Sequence, residues 1–208
     1  MFIRAVITVA VGYLLGNLNG AVWLSKMIAH DDVRCHGSGN AGFTNFCRNY
    51  GALTGLLVFV IDAAKAVAAC ILGQRLFAPL GYGLEGAALA AVAVGLGHDF
   101  PALLGFHGGK GIVCGVACAT VMDWRVGLVA LAAFLVAYLL TRYVSLGSIV
   151  GAVALFVSFA VWHSDRPWAV AGCGAMCLIA ICMHHDNIRR LIHKTERKTD
   201  FFKKGKKQ

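Results

Sequence analysis

Charge is scarce in this chain. Only 14% of its 208 residues are charged and 59% are hydrophobic, with a mean hydropathy of +0.71. A water-soluble domain has about 25% charged residues, so this chain has too few to cover its own surface. The same composition excludes intrinsic disorder, because disordered chains are poor in apolar residues. The composition therefore predicts an integral membrane protein.

The sequence also lacks the signatures of metal and disulfide sites. Its eight cysteines form no CxxC pair and no HExxH occurs, so we expect no metal site. No internal repeat is visible, and the three prolines lie at or near the ends of apolar runs, where helices tolerate them. Six cysteines lie within apolar runs and are interpreted as small buried thiols: Cys70, Cys114, Cys118, Cys173, Cys177 and Cys182.

Seven apolar runs predict an all-α, polytopic helical bundle that forms a single domain over residues 1–208. The first run is too long for a cleavable signal and is interpreted as a retained span. The fourth has only about a dozen residues and is either a short span or a re-entrant helix. The runs cover residues 2–28, 53–72, 85–104, 111–122, 124–140, 145–162 and 168–183.

The distribution of positive charge predicts the orientation. Alternate connections carry fourteen Lys and Arg on one side and four on the other. The positive-inside rule then places the N-terminus outside and the C-terminus in the cytoplasm. This requires an odd number of spans, seven or, with two re-entrant segments, five. Nine of the cations form a basic cytoplasmic tail, residues 185–208, which anionic lipid attracts. Nucleic acid is not the expected partner, since the tail directly follows a span.

Three polar stretches are expected on the cytoplasmic side, and the first is rich in glycine. Backbone N–H groups of such a loop can turn toward an anion, and Arg48 can clamp a phosphate with two hydrogen bonds. A plain glycine-rich turn between two spans is the alternative. The residues are Gly37, Ser38, Gly39, Asn40, Gly42, Thr44 and Asn45, followed by Arg48.

The second stretch contains His98 and ends in Gly108, Gly109, Lys110 and Gly111. A lysine just before an apolar helix lies where free N–H groups and the helix dipole also favour an anion. An interfacial charge without a ligand is the alternative for this lysine.

The third stretch places His184 and Asn187 three residues apart, on one face of a helix. His184 is either a proton acceptor or an interfacial histidine bonded to a nearby carbonyl. Within the second run, Asp62 and Lys65 form either an ion pair or a functional intramembrane site.

Together these stretches resemble the bacterial acyl-phosphate:glycerol-3-phosphate acyltransferases, the PlsY family. The family's GSGNxGxTN followed by Arg is matched over residues 37–48, its GHxFP…FxGGKG over 97–111, and its HxxNIxRLxxGxE over 184–196. Segments around Asp62 and Arg142 are also similar. This chain departs from the pattern at three places: Lys194 replaces a glycine, His107 a frequent basic residue, and residues 112–114 a frequent Val-Ala-Thr.

The resemblance implies transfer of a fatty acyl group from acyl phosphate to the sn-1 hydroxyl of glycerol 3-phosphate, giving lysophosphatidic acid and phosphate. It implies no cofactor, an active site on the cytoplasmic face of the bacterial inner membrane, and a soluble enzyme that supplies acyl phosphate. The expected catalytic residues are Ser38, Arg48, Lys110, His184 and Asn187. The expected substrate-binding residues are Gly37, Gly39, Asn40, Gly42, Thr44, Asn45, His98, Gly108, Gly109, Gly111, Arg142, Ser145 and Glu196.

Two other classes compete with this interpretation. A transporter of small organic anions also needs basic, glycine-rich sites, but these usually lie near the bilayer midplane between structural repeats. A membrane scaffold would not need two anion-binding loops on one side.

Overall fold

The computed structural model describes residues 1–199, which form helices and loops without any strand. Short 3-10 turns at Val33–Cys35, Ala78–Leu80 and Ala102–Leu104 join some of the helices. The α-helices are α1 (Phe2–Gly16), α2 (Gly20–Ala29), α3 (Phe43–Tyr50), α4 (Ala52–Phe77), α5 (Gly83–Asp99), α6 (Ile112–Met122), α7 (Trp124–Thr141), α8 (Val144–Trp162), α9 (Pro167–Cys182) and α10 (His185–Ile192).

The helices confirm the predicted all-α membrane bundle. In the described part of the chain, five segments are long and apolar enough to cross a membrane, and a sixth is added if α9 and α10, which meet at a 55° bend, form one span. All seven predicted apolar runs lie on these helices, although α6 has only 11 residues. The number of spans and the direction of the termini stay predictions. The tail lysines at 203, 204, 206 and 207 lie outside the described residues.

The first run, predicted as one retained span, forms one candidate span over Phe2–Ala29 that consists of two helices, α1 and α2, separated at residues 17–19. Two buried asparagines satisfy the backbone at this break. The Asn17 side chain donates to the Tyr13 carbonyl (2.7 Å) and accepts from the Leu103 amide (3.0 Å). Asn19 caps α2 by accepting from the Val22 amide at 3.0 Å. The break leaves carbonyl oxygens in the bundle interior, where other side chains can bind them.

Helix α5 lies at the centre of the bundle and packs against α1, α4, α6 and α9. Glycines allow two of these contacts to be very close. A Cβ on Gly16 of α1 would lie 2.6 Å from the Gly97 Cα, and one on Gly73 of α4 would lie 2.2 Å from the Gly86 carbonyl oxygen. Small residues therefore hold the central helices together by close packing, as is common in membrane bundles.

The two ends of the bundle differ in their chemistry. Trp124, Trp162 and Trp168 are exposed where α7 begins, α8 ends and α9 begins, which is typical of a membrane–water interface. The three polar stretches lie at the opposite end. Five of the six cysteines expected to be buried are buried, but Cys182 is exposed because it is the last residue of α9.

Candidate active site

A cavity of about 560 Å³ lies where the three polar stretches meet. Its outer part is polar and contains the side chains of Arg48, Lys110 and Glu196. Its inner part is an apolar slot between α6, α7, α8 and α9, which extends along α8 from Ser145 to Leu155. At 1.5 Å per residue this slot is roughly 15 Å long. One cavity thus offers an ionic region and a hydrocarbon region.

The side chain of Asn45 holds the first stretch in shape. Its amide nitrogen donates to the carbonyls of Val33 (3.1 Å), His36 (3.0 Å) and Asn40 (3.1 Å), and its oxygen accepts from the Ser38 amide at 3.0 Å. These bonds close the chain into a tight loop at the start of α3. The hydroxyl of Ser38 has no hydrogen-bond partner among residues 1–199 and faces the cavity, so it is available to a ligand.

Most of the first stretch lines the cavity. Gly37 and Gly39 have positive φ angles of +61° and +73°, which glycine adopts without strain. Gly39 turns the chain but does not line the cavity. The predicted residues that line it are Gly37, Ser38, Asn40, Gly42, Thr44, Asn45 and Arg48.

In the second stretch, His98 fixes the two glycines before the lysine. The Gly109 amide donates to the His98 carbonyl at 3.0 Å, and a Cβ on Gly109 would lie 2.0 Å from the His98 Nε2. Gly108 meets the first stretch, because its carbonyl accepts from the Ala41 amide at 3.3 Å. Gly108 and Gly109 therefore support the loop, while His98, Lys110 and Gly111 line the cavity.

Lys110 points into the cavity and donates to the Asn187 side-chain oxygen. Burial, together with the nearby charge of Arg190, lowers the pKa of Lys110 to about 8. No carboxylate lies within ion-pair distance of its ammonium in the described part of the chain. A bound anion would therefore relieve the cost of keeping this lysine charged.

The third stretch brings His184 and Asn187 onto the cavity wall, both of them buried. The helix α10 begins at His185, so His184 lies just before it. His184 Nδ1 is 2.7 Å from the Ala180 carbonyl and must carry a proton to bond there. In the neutral ring, Nε2 is then an acceptor, so the carbonyl bond and a role as acceptor are compatible.

Glu196 joins the third stretch to α8. Its carboxylate accepts from Ser145 (2.9 Å), Asn187 (2.8 Å) and Arg190 (2.7 Å). Burial favours a higher pKa for Glu196, but these hydrogen bonds outweigh it and its pKa lies below the usual value. Glu196 thus stays ionised and orients Asn187. Ser145 and Glu196 both line the cavity.

Arg142 differs from the other predicted residues. It is exposed at the end of α7 with a φ of +63°, and its side chain does not line the cavity. Its carbonyl accepts from the Thr199 amide at 3.0 Å. The contribution of Arg142 in this structure is therefore a backbone one, to the position of the tail.

Beneath the cavity, Asp62 and Lys65 form an ion pair at 2.8 Å, which is one of the two alternatives that the sequence left open. The Lys65 ammonium also contacts His98 Nδ1 at 2.9 Å. Asp62, His98 and Cys114 are the one group in residues 1–199 whose ligand atoms are close enough to share a metal ion. Because the ammonium already occupies two of these atoms, the geometry favours an ion-pair network over a metal.

Comparison with known proteins identifies the family. A sequence model described as "Glycerol-3-phosphate acyltransferase" matches residues 6–194. The chain belongs to the glycerol-3-phosphate acyltransferase family. A glycerol-3-phosphate acyltransferase of Anaeromyxobacter dehalogenans is 40% identical over 196 residues, which cover 92% of this chain and 96% of the relative. One of Thermoanaerobacter pseudethanolicus is 39% identical over 195 residues, covering 93% and 95%.

Two crystal structures of PlsY, an integral membrane glycerol 3-phosphate acyltransferase, are similar to this chain. The glycerol 3-phosphate form has a TM-score of 0.85 at 29% identity, covering 94% of this chain and 96% of that one. The lysophosphatidic acid form has a TM-score of 0.82 at 28% identity, covering 95% and 96%. This acyltransferase family therefore accounts for the fold of nearly the whole chain.

The structure adds residues that the sequence did not mark as part of the acyltransferase site. Arg190 and Arg197 line the cavity, although the motif already contained Arg190. Asp62 also reaches the wall. Thr199 contacts Arg48 across 151 residues of sequence and lies beyond the family match, so no motif could have indicated it.

Proposed function

We propose that this protein transfers a fatty acyl group from acyl phosphate to the sn-1 hydroxyl of glycerol 3-phosphate, releasing lysophosphatidic acid and inorganic phosphate. The observation that supports this most is the single cavity, in which a cationic region continues into an apolar slot. An acyl phosphate has this same division into an ionic head and a hydrocarbon chain. A soluble organic anion would need the first part but not the second.

The cations divide between two phosphate groups. Ser38 and Arg48, with the amides of the first stretch, hold the phosphoryl group of the donor and stabilise the charge that grows on it. Lys110 and the backbone around Gly111 hold the phosphate of glycerol 3-phosphate. Placing both substrates in one cavity supplies much of the catalysis, because an acyl phosphate is already activated.

The acceptor hydroxyl is oriented by His184 and Asn187. The hydroxyl donates a hydrogen bond to His184 Nε2, and its oxygen attacks the acyl carbonyl carbon. The new ester C–O bond forms as the C–O bond to phosphate breaks, and the leaving phosphate takes the electron pair. The proton of the hydroxyl ends on the released phosphate. These atoms balance without a metal, an oxidant or a covalent enzyme intermediate.

The cellular setting is part of the proposal. The excess of Lys and Arg on one side supports a cytoplasmic active site in the bacterial inner membrane. The basic tail would contact anionic lipid there. A soluble enzyme would supply the acyl phosphate.

The experiment uses the purified full chain with palmitoyl phosphate and glycerol 3-phosphate, following phosphate release and lysophosphatidic acid together. Parallel assays contain acyl-CoA as the donor, or EDTA. We expect equal release of both products, none with acyl-CoA, and no effect of EDTA. Activity with acyl-CoA alone would overturn the proposed donor. No product from either donor, with uptake of glycerol 3-phosphate into vesicles, would favour a transporter instead.

A further inference from the structure

The segment after α10 lines the cavity at Glu196 and Arg197, and its Thr199 contacts Arg48. The Arg48 Nε donates to the Thr199 hydroxyl oxygen at 3.0 Å, and Nη2 of the same guanidinium also contacts it. Thr199 is buried, although it lies in a charged segment. A tail that served only to contact solvent or lipid would not bury a threonine against an arginine of the site. The contact between Thr199 and Arg48 therefore points to a role in the site.

The backbone of Thr199 is held as firmly as its side chain. Its carbonyl accepts from the Tyr138 hydroxyl at 3.0 Å, and its amide donates to the Arg142 carbonyl at 3.0 Å. Tyr138 lies in the last turn of α7, and Arg142 directly follows that helix. Thr199 thus connects α7 to α3, because it contacts Tyr138 of α7 and Arg48 of α3.

The contact uses one edge of the guanidinium and leaves the other open. Among residues 1–199, Nη1 of Arg48 has no hydrogen-bond partner, while the side chain lines the cavity. A guanidinium can bind a phosphate through two parallel donors. Fixing one edge on a neutral hydroxyl restricts the rotamers of Arg48 without neutralising its charge.

We propose that Thr199 is a positioning residue, whose hydroxyl orients Arg48 so that its free edge faces the phosphoryl group of the acyl donor. This inference rests on the proposed function, because it takes Arg48 as the ligand of that phosphate. It adds to the site a residue beyond the segment that the family model matches, and it gives the tail a role in catalysis.

The test compares three variants of the full chain: Thr199→Val, which removes only the hydroxyl, Thr199→Ser, which retains it, and Thr195→Val. Thr195 is the matched control, an exposed threonine of the same segment whose hydroxyl donates to the Arg190 carbonyl at 3.4 Å and does not contact Arg48. The measurements are kcat/KM for palmitoyl phosphate, the inhibition constant of inorganic phosphate, and Tm.

We expect Thr199→Val to lower kcat/KM about tenfold and to raise the phosphate inhibition constant about tenfold. This is the effect expected from the loss of one hydrogen bond to a charged group. Thr199→Ser and Thr195→Val should stay within twofold of the parent. A fall in Tm with an unchanged inhibition constant would reduce Thr199 to a structural role. Tighter inhibition by phosphate would also overturn the proposal, because Thr199 would then compete with phosphate for Arg48.

Arg48→Lys separates this inference from the proposed function. If Arg48→Lys leaves the phosphate inhibition constant unchanged, the phosphate site at Arg48 fails, and the proposed roles fail with it. If Arg48→Lys raises the constant but Thr199→Val does not, only the role of Thr199 fails. In the double variant we expect no further loss beyond Arg48→Lys, since the two residues act on one contact.

Discussion

Two lysines near the cavity are placed in opposite ways. Lys65 lies beneath it with four acceptors, namely the Asp62 carboxylate (2.8 Å), His98 Nδ1 (2.9 Å) and the Gly16 and Leu18 carbonyls (3.1 and 2.7 Å). Among residues 1–199, Lys110 has one neutral partner, the Asn187 amide oxygen. An ammonium has three N–H groups to place, so Lys65 is saturated and Lys110 is not. The saturated cation holds helices together, and the unsaturated one is the cation that we propose binds a phosphate.

The comparison predicts its largest effect at Lys65. Replacing Lys65 by Met leaves the Asp62 carboxylate buried and unpaired, which should lower the free energy of unfolding by about 3–5 kcal/mol. Lys110→Met should change it by less than about 1 kcal/mol, since no buried charge loses its partner. Denaturant unfolding in detergent measures both. The double variant Asp62→Asn/Lys65→Met should recover part of the loss. Equal losses for the two lysines would remove the distinction between them.

The next effect concerns Ser38, whose hydroxyl faces the cavity without a protein partner in the described structure. Ser38→Ala should lower kcat by about 10²-fold or more, as does the loss of a donor that stabilises developing charge. The control is Ser158→Ala on α8, because that hydroxyl bonds the Ala154 carbonyl at 2.8 Å within its own helix. Turnover of Ser38→Ala within threefold of the parent would exclude a direct role.

The low pKa of Lys110 predicts an alkaline loss of activity. If the charged form binds phosphate and its pKa is about 8, kcat/KM for glycerol 3-phosphate should be level near pH 7, where the substrate's phosphate has already lost its second proton (pKa about 6), and should reach half of that value near pH 8. Above it we expect a fall of about tenfold per pH unit. An arginine at position 110 stays charged throughout this pH range. The pH profile of Lys110→Arg should therefore lack the alkaline fall, even if its activity is lower. An alkaline limb retained in Lys110→Arg would assign the titration to another group.

The smallest effect concerns the apolar slot. Gly115 of α6 lines it, and a Cβ there would meet only Met176, at 3.7 Å. Gly115→Leu should therefore fold but shorten the slot, raising KM severalfold for palmitoyl phosphate and less for a shorter acyl phosphate. The control is Gly95→Leu on α5. A Cβ at Gly95 would meet nothing within 4 Å, and Gly95 does not line the cavity. Equal KM changes for both chain lengths would contradict the assignment of the slot.

The sequence indicated the helices and the site because both depend on local patterns. Hydropathy located the apolar runs, and the motifs located Ser38, Arg48 and Lys110. The break between α1 and α2 was missed because Asn17 and Asn19 look like isolated polar residues in an apolar run. Their role depends on partners such as Leu103, which is 86 residues away. Thr199 was missed for the same reason, since only the folded chain brings it to Arg48.

Asn45 has a consequence for how this loop can vary. One primary amide shares its two N–H groups among three carbonyls and accepts from the Ser38 amide. Aspartate has the same shape but no donor, and it would set a negative charge against those three oxygens. Glutamine has the same amide group on a side chain that is one methylene group longer. Replacing this amide by a carboxylate would therefore release the loop from α3 while leaving the chain itself intact, so the shape of the first stretch depends on one amide nitrogen.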